Sequence, residues 1–287
     1  MGIPRSIEQA VTFPCADGRL VGVIHAPENA RTGMVMVSGG DQYRVGSHRV
    51  FVELARALAG AGVAVMRFDH RGIGDTGGDY HGFEYLHEDI RAAIAELKRA
   101  CPALERIVIG GLCDGASAAL IAAEKLSGVD ELVLINPWVH TSDLEARTRL
   151  INYYASRLKS RDFWGKFFRG QIKISESWRS LTGYLKMFLR SAFSWGSSNT
   201  DPQSYVRRML SGARGFDGPL YIVLSGQDLV AQQFQQLATI DRSWKALMEK
   251  PGVRVAKIPG ADHTFSVSKE RRAFEQIMLA WFGQEAK

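Results

Sequence analysis

Cysteine and proline are scarce in this chain: three cysteines and nine prolines stand among 287 residues, against 29 glycines. Cys15, Cys101 and Cys113 are too few and odd in number, and no two stand as C-x-x-C, which excludes a disulfide framework and predicts a reducing compartment. The glycines follow no G-X-Y period and no Ser/Gln tracts occur, so collagen-like and low-complexity classes fall away, and extensive disorder with them. No apolar run approaches the roughly 18 residues of a membrane span; the stretch from Ala57 to Met66 is short and rich in Ala and Gly. The opening MGIPRSIEQ lacks the apolar core of a secretory signal. A cytoplasmic protein is therefore expected. No internal repeat of fixed period is evident.

What is present is a chain 46% hydrophobic and 23% charged, enough to bury a full core as one large domain or one domain carrying an insertion. Its formal net charge of +6 leaves an anionic partner open. Short apolar strands alternate with helical spacing. Ala10 to Phe13 and Leu20 to His25 flank Asp17-Gly18 as a starting hairpin. Strands follow at Met34 to Val37, Val63 to Phe68, Arg106 to Ile109, Glu131 to Ile135, Leu220 to Leu224 and Val253 to Ile258. Helices are predicted over Phe51 to Ala59, Tyr85 to Arg99, Asp114 to Lys125, Val230 to Glu249 and Lys269 to Phe282. Such alternation implies an α/β fold: a mostly parallel sheet covered by helices on both faces, with ligand chemistry at the carboxyl ends of the strands. Between Asn136-Pro137 and about residue 214 the alternation stops. Residues 138–214 are therefore expected to be a helical cap inserted into a core of residues 1–137 and 215–287.

Three loops carry the chemistry. The strand Arg106 to Ile109 runs into Gly110-Gly111-Leu112-Cys113-Asp114-Gly115 and then an alanine-rich helix, a G-x-C-x-G counterpart of the G-x-S-x-G nucleophile elbow. Leu220 to Leu224 leads into Ser225-Gly226-Gln227-Asp228, and Val253 to Ile258 leads into Pro259-Gly260-Ala261-Asp262-His263. The order nucleophile, acid, base is that of the α/β hydrolases. Cys113, Asp228 and His263 are the expected catalytic residues, with Asp143 as the fallback acid and Asp262 as a turn residue. The oxyanion is expected to meet two backbone donors, Asp114 N–H and Gly40 N–H. The N-terminus of the helix at Asp114 favours a thiolate, whereas the Asp114 carboxylate, pointed at the sulfur, would oppose it.

Together with Ser38-Gly39-Gly40-Asp41 and Arg67-Phe68-Asp69-His70-Arg71-Gly72-Ile73-Gly74-Asp75, these loops make the whole chain resemble an α/β hydrolase of the serine-aminopeptidase-like branch with a helical cap. It most closely resembles the exosortase A system-associated hydrolases, type one. That resemblance implies a link to exopolysaccharide production and surface-protein sorting, and assigns no substrate. Cys113 in place of serine departs from the broader superfamily and resembles dienelactone hydrolases and polyhydroxyalkanoate synthases. The Asp69 to Asp75 loop is read as shaping the sheet rim, its glycines permitting positive φ. His25, His48, His81, His87 and His140 share no metal spacing, and no cofactor or metal is expected.

A thiolate nucleophile suits esters, lactones and thioesters, so a hydrolase working through an acyl-cysteine is the first reading. An acyltransferase using the same intermediate and a non-catalytic binding protein on the same fold are the rivals. The excess charge has a place: from Glu145 to Arg208 thirteen basic residues face four acidic ones, a local net of +9 that leaves the remainder slightly acidic. Aromatics from Phe163 to Trp195 interleave with them. This basic aromatic cap is compatible with solvated charges over packed rings. It also suits a small-molecule or carrier-bound acyl substrate of anionic or amphiphilic character, or peripheral membrane contact; nucleic acid is not expected.

Overall fold

The computed structural model describes residues 7–16, 18–140 and 204–284. The chain divides into two compact units, Met1–Val139 with Arg208–Lys287, and His140–Arg207. The expected cap falls mainly on residues 141–203, outside the described residues, as do the fallback acid Asp143 and the cap's aromatics.

The first unit is built on eight strands: β1 (Ile7–Cys15), β2 (Gly18–Ala26), β3 (Thr32–Val37), β4 (Val63–Asp69), β5 (Arg106–Leu112), β6 (Glu131–Ile135), β7 (Leu220–Ser225) and β8 (Val253–Ile258). They form one sheet in the order β1-β2-β4-β3-β5-β6-β7-β8. The β1–β2 and β2–β4 pairs are antiparallel, and every later pair is parallel. The expected α/β-hydrolase core, mostly parallel with an opening hairpin, is what forms.

Parallel strands need crossovers, and the sequence supplies helices for them. They are α1 (Val50–Gly60), α2 (His87–Ala100), α3 (Asp114–Ala123), α4 (Tyr205–Gly215), α5 (Leu229–Ile240), α6 (Arg242–Met248) and α7 (Ser268–Gln284). Side chains alternate across the sheet, so β3 serves both faces. Met34 and Met36 join Leu54 and Leu58 of α1 and Phe274, Met278 and Trp281 of α7 in one buried cluster. Val35 and Val37, equally buried, fall outside that cluster, as the alternation requires. Each such side chain withdrawn from water contributes about 1.5–3 kcal/mol.

Two helical expectations change. The helix anticipated over Val230 to Glu249 is broken at Asp241, whose backbone is extended (φ −84°, ψ 122°). Its carboxylate accepts from Ser243 N at 2.8 Å and Trp244 N at 3.1 Å, so the residue restarts the chain as the N-cap of α6. Apolar spacing runs through the break because Phe234, Leu237, Trp244 and Leu247 are all buried. The second change is α4, which begins at Tyr205, inside the span assigned to the insertion, and ends at Gly215.

The Asp69 to Asp75 loop is fastened to the rim. Buried Asp69 accepts from Arg44 N at 2.6 Å and Asp75 N at 3.0 Å and pairs with the Arg44 guanidinium. Thr76 Oγ1 donates to the Asp69 carbonyl and accepts from Val21 N, both at 2.9 Å, tying the loop to β2. Gly72 and Gly74 take positive φ.

Candidate active site

β5 ends at Leu112 and α3 begins at Asp114, leaving one residue to turn the chain. That residue is Cys113, with φ 61° and ψ −126°, a conformation that L-residues adopt only under constraint. The constraint is visible in the hydrogen bonds. Cys113 N donates to Ile135 O at 2.9 Å, while its carbonyl accepts from Ala116 N at 3.1 Å and Trp138 N at 3.1 Å. The turn closes because its flanks lack side chains: a methyl at Gly111 would stand 2.4 Å from the Gly115 backbone, and one at Gly115 would stand 2.4 Å from Val37 O. These contacts place the partly exposed Cys113 thiol at the carboxyl end of the sheet.

Asp228 and His263 come to the same end from β7 and β8. Asp228 is the N-cap of α5, its carboxylate accepting from Val230 N at 3.0 Å and Ala231 N at 3.2 Å. The same group takes a hydrogen bond from His263 Nδ1 at 2.8 Å. Cys113 stands on the same side and acts on the titration of His263. Burial alone would push the imidazole down, but the bond to Asp228 and the influence of Cys113 outweigh it and raise His263 to about 10. The three residues expected to act together are thus brought together. Asp262 is a turn residue: its carboxylate accepts from Thr264 N at 3.1 Å and Ser266 N at 3.0 Å.

Gly40 and Asp114 lie close as well, in an arrangement the sequence reading left open. Gly40 N–H donates to Asp114 Oδ1 at 2.5 Å, so the carboxylate is directed at the expected oxyanion donor. Burial raises the Asp114 carboxyl above its ordinary value despite the backbone N–H groups and His263, which act in the opposite direction.

Asn136 is the residue that sequence reasoning missed. Fully buried at the end of β6 with φ 46°, it accepts from Ser225 N at 2.8 Å and donates from Nδ2 to Ser225 Oγ at 3.0 Å and to the His263 carbonyl at 3.2 Å. It therefore joins the strand ends that carry acid and base. The cue in the sequence was an Asn before Pro at the carboxyl end of a strand, a place where a side-chain amide can both tolerate positive φ and bridge neighbouring loops.

The other histidines serve elsewhere. His25 is fully buried and accepts from Arg67 Nε at 3.0 Å; burial, aided by the Arg67 charge, pushes it down to about 4, so it stays neutral. His70 stacks on Tyr80 with ring centres 5.1 Å apart. Among the described residues no group of three or more His, Cys, Asp or Glu side chains is disposed to hold a metal ion, and no helix is long and apolar enough to cross a membrane.

Comparison with known proteins places this fold. The closely similar solved structures include an esterase of Pyrococcus furiosus (TM-score 0.64, 16% identity, covering 97% of this chain and 91% of that one). A highly thermostable carboxyl esterase from Bacillus coagulans matches with TM-score 0.62 and 16% identity over 98% of this chain and 99% of that one. The chain has the α/β-hydrolase fold. Within that fold, a dienelactone hydrolase from Anabaena variabilis is also similar, with TM-score 0.59 and 15% identity over 99% of each chain. The family model of serine aminopeptidase, S33, matches residues 30–167 of this chain, a span running from before β3 past the elbow.

Proposed function

We propose that the protein is a hydrolase of carboxylic esters or thioesters that works through an acyl-cysteine on Cys113. The observation that carries this reading is the line Cys113, His263, Asp228 at the carboxyl ends of β5, β8 and β7, with the 2.8 Å His263–Asp228 bond fixing the imidazole. With the thiol proton already passed to His263 Nε2, Sγ bonds to the acyl carbon and the carbonyl π pair moves onto oxygen. The pair then returns, the bond to the leaving alcohol or thiol breaks, and His263 gives that group its proton. Water, deprotonated by His263, repeats the sequence on the acyl-cysteine and releases the acid. Asp228 holds the tautomer and stabilises the imidazolium.

The esterase and dienelactone-hydrolase neighbours share the fold on which this chemistry is placed, and the serine aminopeptidase model covers the elbow. A thiolate attacks activated esters and thioesters readily and amides poorly, which is why ester or thioester cleavage is preferred here to peptide cleavage. The resemblance to exosortase A system-associated hydrolases places the reaction, on this reading, beside exopolysaccharide production. Reduced thiols fit a cytoplasmic setting, and the basic aromatic stretch 145–208 fits an anionic or amphiphilic acyl donor.

Incubation with short acyl thioesters and p-nitrophenyl esters tests the proposal. Steady release of acid, lost in Cys113→Ala, with a mass increase equal to the acyl group on Cys113 under acid quench, is expected. Turnover that requires an added alcohol or amine would make the protein an acyltransferase. Undiminished turnover in Cys113→Ala would remove Cys113 from the chemistry.

A further inference from the structure

One of the two donors that would stabilise an oxyanion is already engaged. Gly40 N–H, reaching across from the loop after β3, donates to Asp114 Oδ1 at 2.5 Å. The backbone N–H groups of Asp114 and Gly115, at the start of α3, favour the charged form of the same carboxylate. Room for it is made by Gly39, where a methyl would stand 2.3 Å from Asp114 Oδ1 and 2.4 Å from Leu112 O. A carboxylate at the first turn of a helix would be expected to interact with that helix alone. The bond to Gly40 goes further, because it spans two loops and uses the partner donor of the site.

We propose that the Asp114 carboxylate is the resting occupant of the oxyanion hole, and that it thereby determines which substrates acylate the enzyme. An ester or thioester carbonyl is a neutral acceptor and a weaker one than a carboxylate for the same N–H groups. To place its oxygen between Gly40 N–H and Asp114 N–H, a substrate has to turn Asp114 aside. The binding energy for that comes from contacts remote from the reacting carbon. Small esters lack such contacts and are turned over slowly; larger acyl donors supply them. Burial raises the Asp114 carboxyl, which is consistent with a group held in a confined place. The inference rests on the reading of Cys113 as nucleophile.

The test uses the full chain and two variants, Asp114→Ala and Asp114→Asn, with p-nitrophenyl acetate as the small ester and a methyl trifluoromethyl ketone as a probe that adds to the Cys113 thiol and leaves an oxyanion. Asp114→Ala is expected to raise kcat/KM for the acetate, and to tighten the ketone, by roughly 10- to 100-fold, the worth of a hydrogen bond to a charged group. Asp114→Asn, isosteric and still able to accept from Gly40, moves both in the same direction by less and carries the test should Asp114→Ala fail to fold. Unchanged or lower values in the folded variants, with iodoacetamide alkylating Cys113 at the wild-type rate, would overturn the inference. If neither wild type nor variants are acylated, alkylated or bound by the ketone at Cys113, the nucleophile assignment fails and the inference falls with it. A purely structural Asp114 would lower thermal stability and leave the ketone affinity unmoved.

Discussion

Asn136 Nδ2 donates to the main-chain carbonyl of His263 at 3.2 Å, across 127 residues of sequence. One amide thus holds the loop of the proposed base and, through Ser225, the strand end that precedes the proposed acid. Replacing it with alanine leaves the buried Ser225 N–H without its acceptor and the His263 carbonyl without this donor. The expected loss is about 2–3 kcal/mol of stability, with kcat for ester hydrolysis falling more than KM changes. Urea unfolding beside steady-state kinetics measures both; a fall in stability with unaltered kcat would confine Asn136 to the scaffold.

His263 gives a pH dependence with a definite sign. Its folded value of about 10 stands above the ordinary 6.5, so its protonated form stabilises the fold. That contribution is complete below 6.5 and is lost as pH rises through about 10. The stability of wild type should therefore fall between about pH 7 and pH 10 more steeply than that of Asp228→Asn, which lacks the carboxylate. Parallel slopes in thermal melts of the two proteins would contradict the assignment.

Cys113 sits in a backbone conformation that costs about 1–3 kcal/mol for a non-glycine residue. Cys113→Gly relieves it and returns about 0.4–1 kcal/mol to the unfolded chain as entropy. A net stabilisation of about 1 kcal/mol is expected, with ester hydrolysis abolished. Cys113→Ala keeps the strain and should show no such gain, which makes calorimetry of the two variants the comparison to run.

The three thiols should separate by reactivity. Cys15 is buried, and burial together with the nearby Asp89 carboxylate pushes it up to about 12; Cys101 is raised by burial alone. Cys113 is partly exposed beside His263. Brief treatment of the native protein with iodoacetamide, read by peptide mass spectrometry, should modify Cys113 alone, and all three after denaturation. Equal labelling of Cys15 in the native state would mean that the β1–β2 end opens readily.

What could be read from the sequence was local. The elbow is legible because its small residues and its cysteine are chain neighbours, and Asp228 and His263 stand just beyond apolar strands. The contacts of Asn136 and the Gly40–Asp114 bond are not legible, since their partners are separated by 89, 127 and 74 residues and meet only when β3, β5, β6, β7 and β8 lie side by side. The break at Asp241 was concealed for a different reason. Periodicity registers which side chains are buried, and Phe234 and Trp244, packed edge to face 5.5 Å apart, stay in phase across the interruption.

Asp228 is anchored by the first turn of α5 as firmly as it anchors His263. A carboxylate pinned from two directions cannot follow an imidazole that swings away, so any excursion of His263 breaks the pair instead of carrying it along. Within this pair only the imidazole moves, and the fidelity of the pair is set by how well the start of α5 resists fraying. Substitutions at Val230 or Ala231, which touch no substrate on this reading, become levers on turnover through the helix they begin.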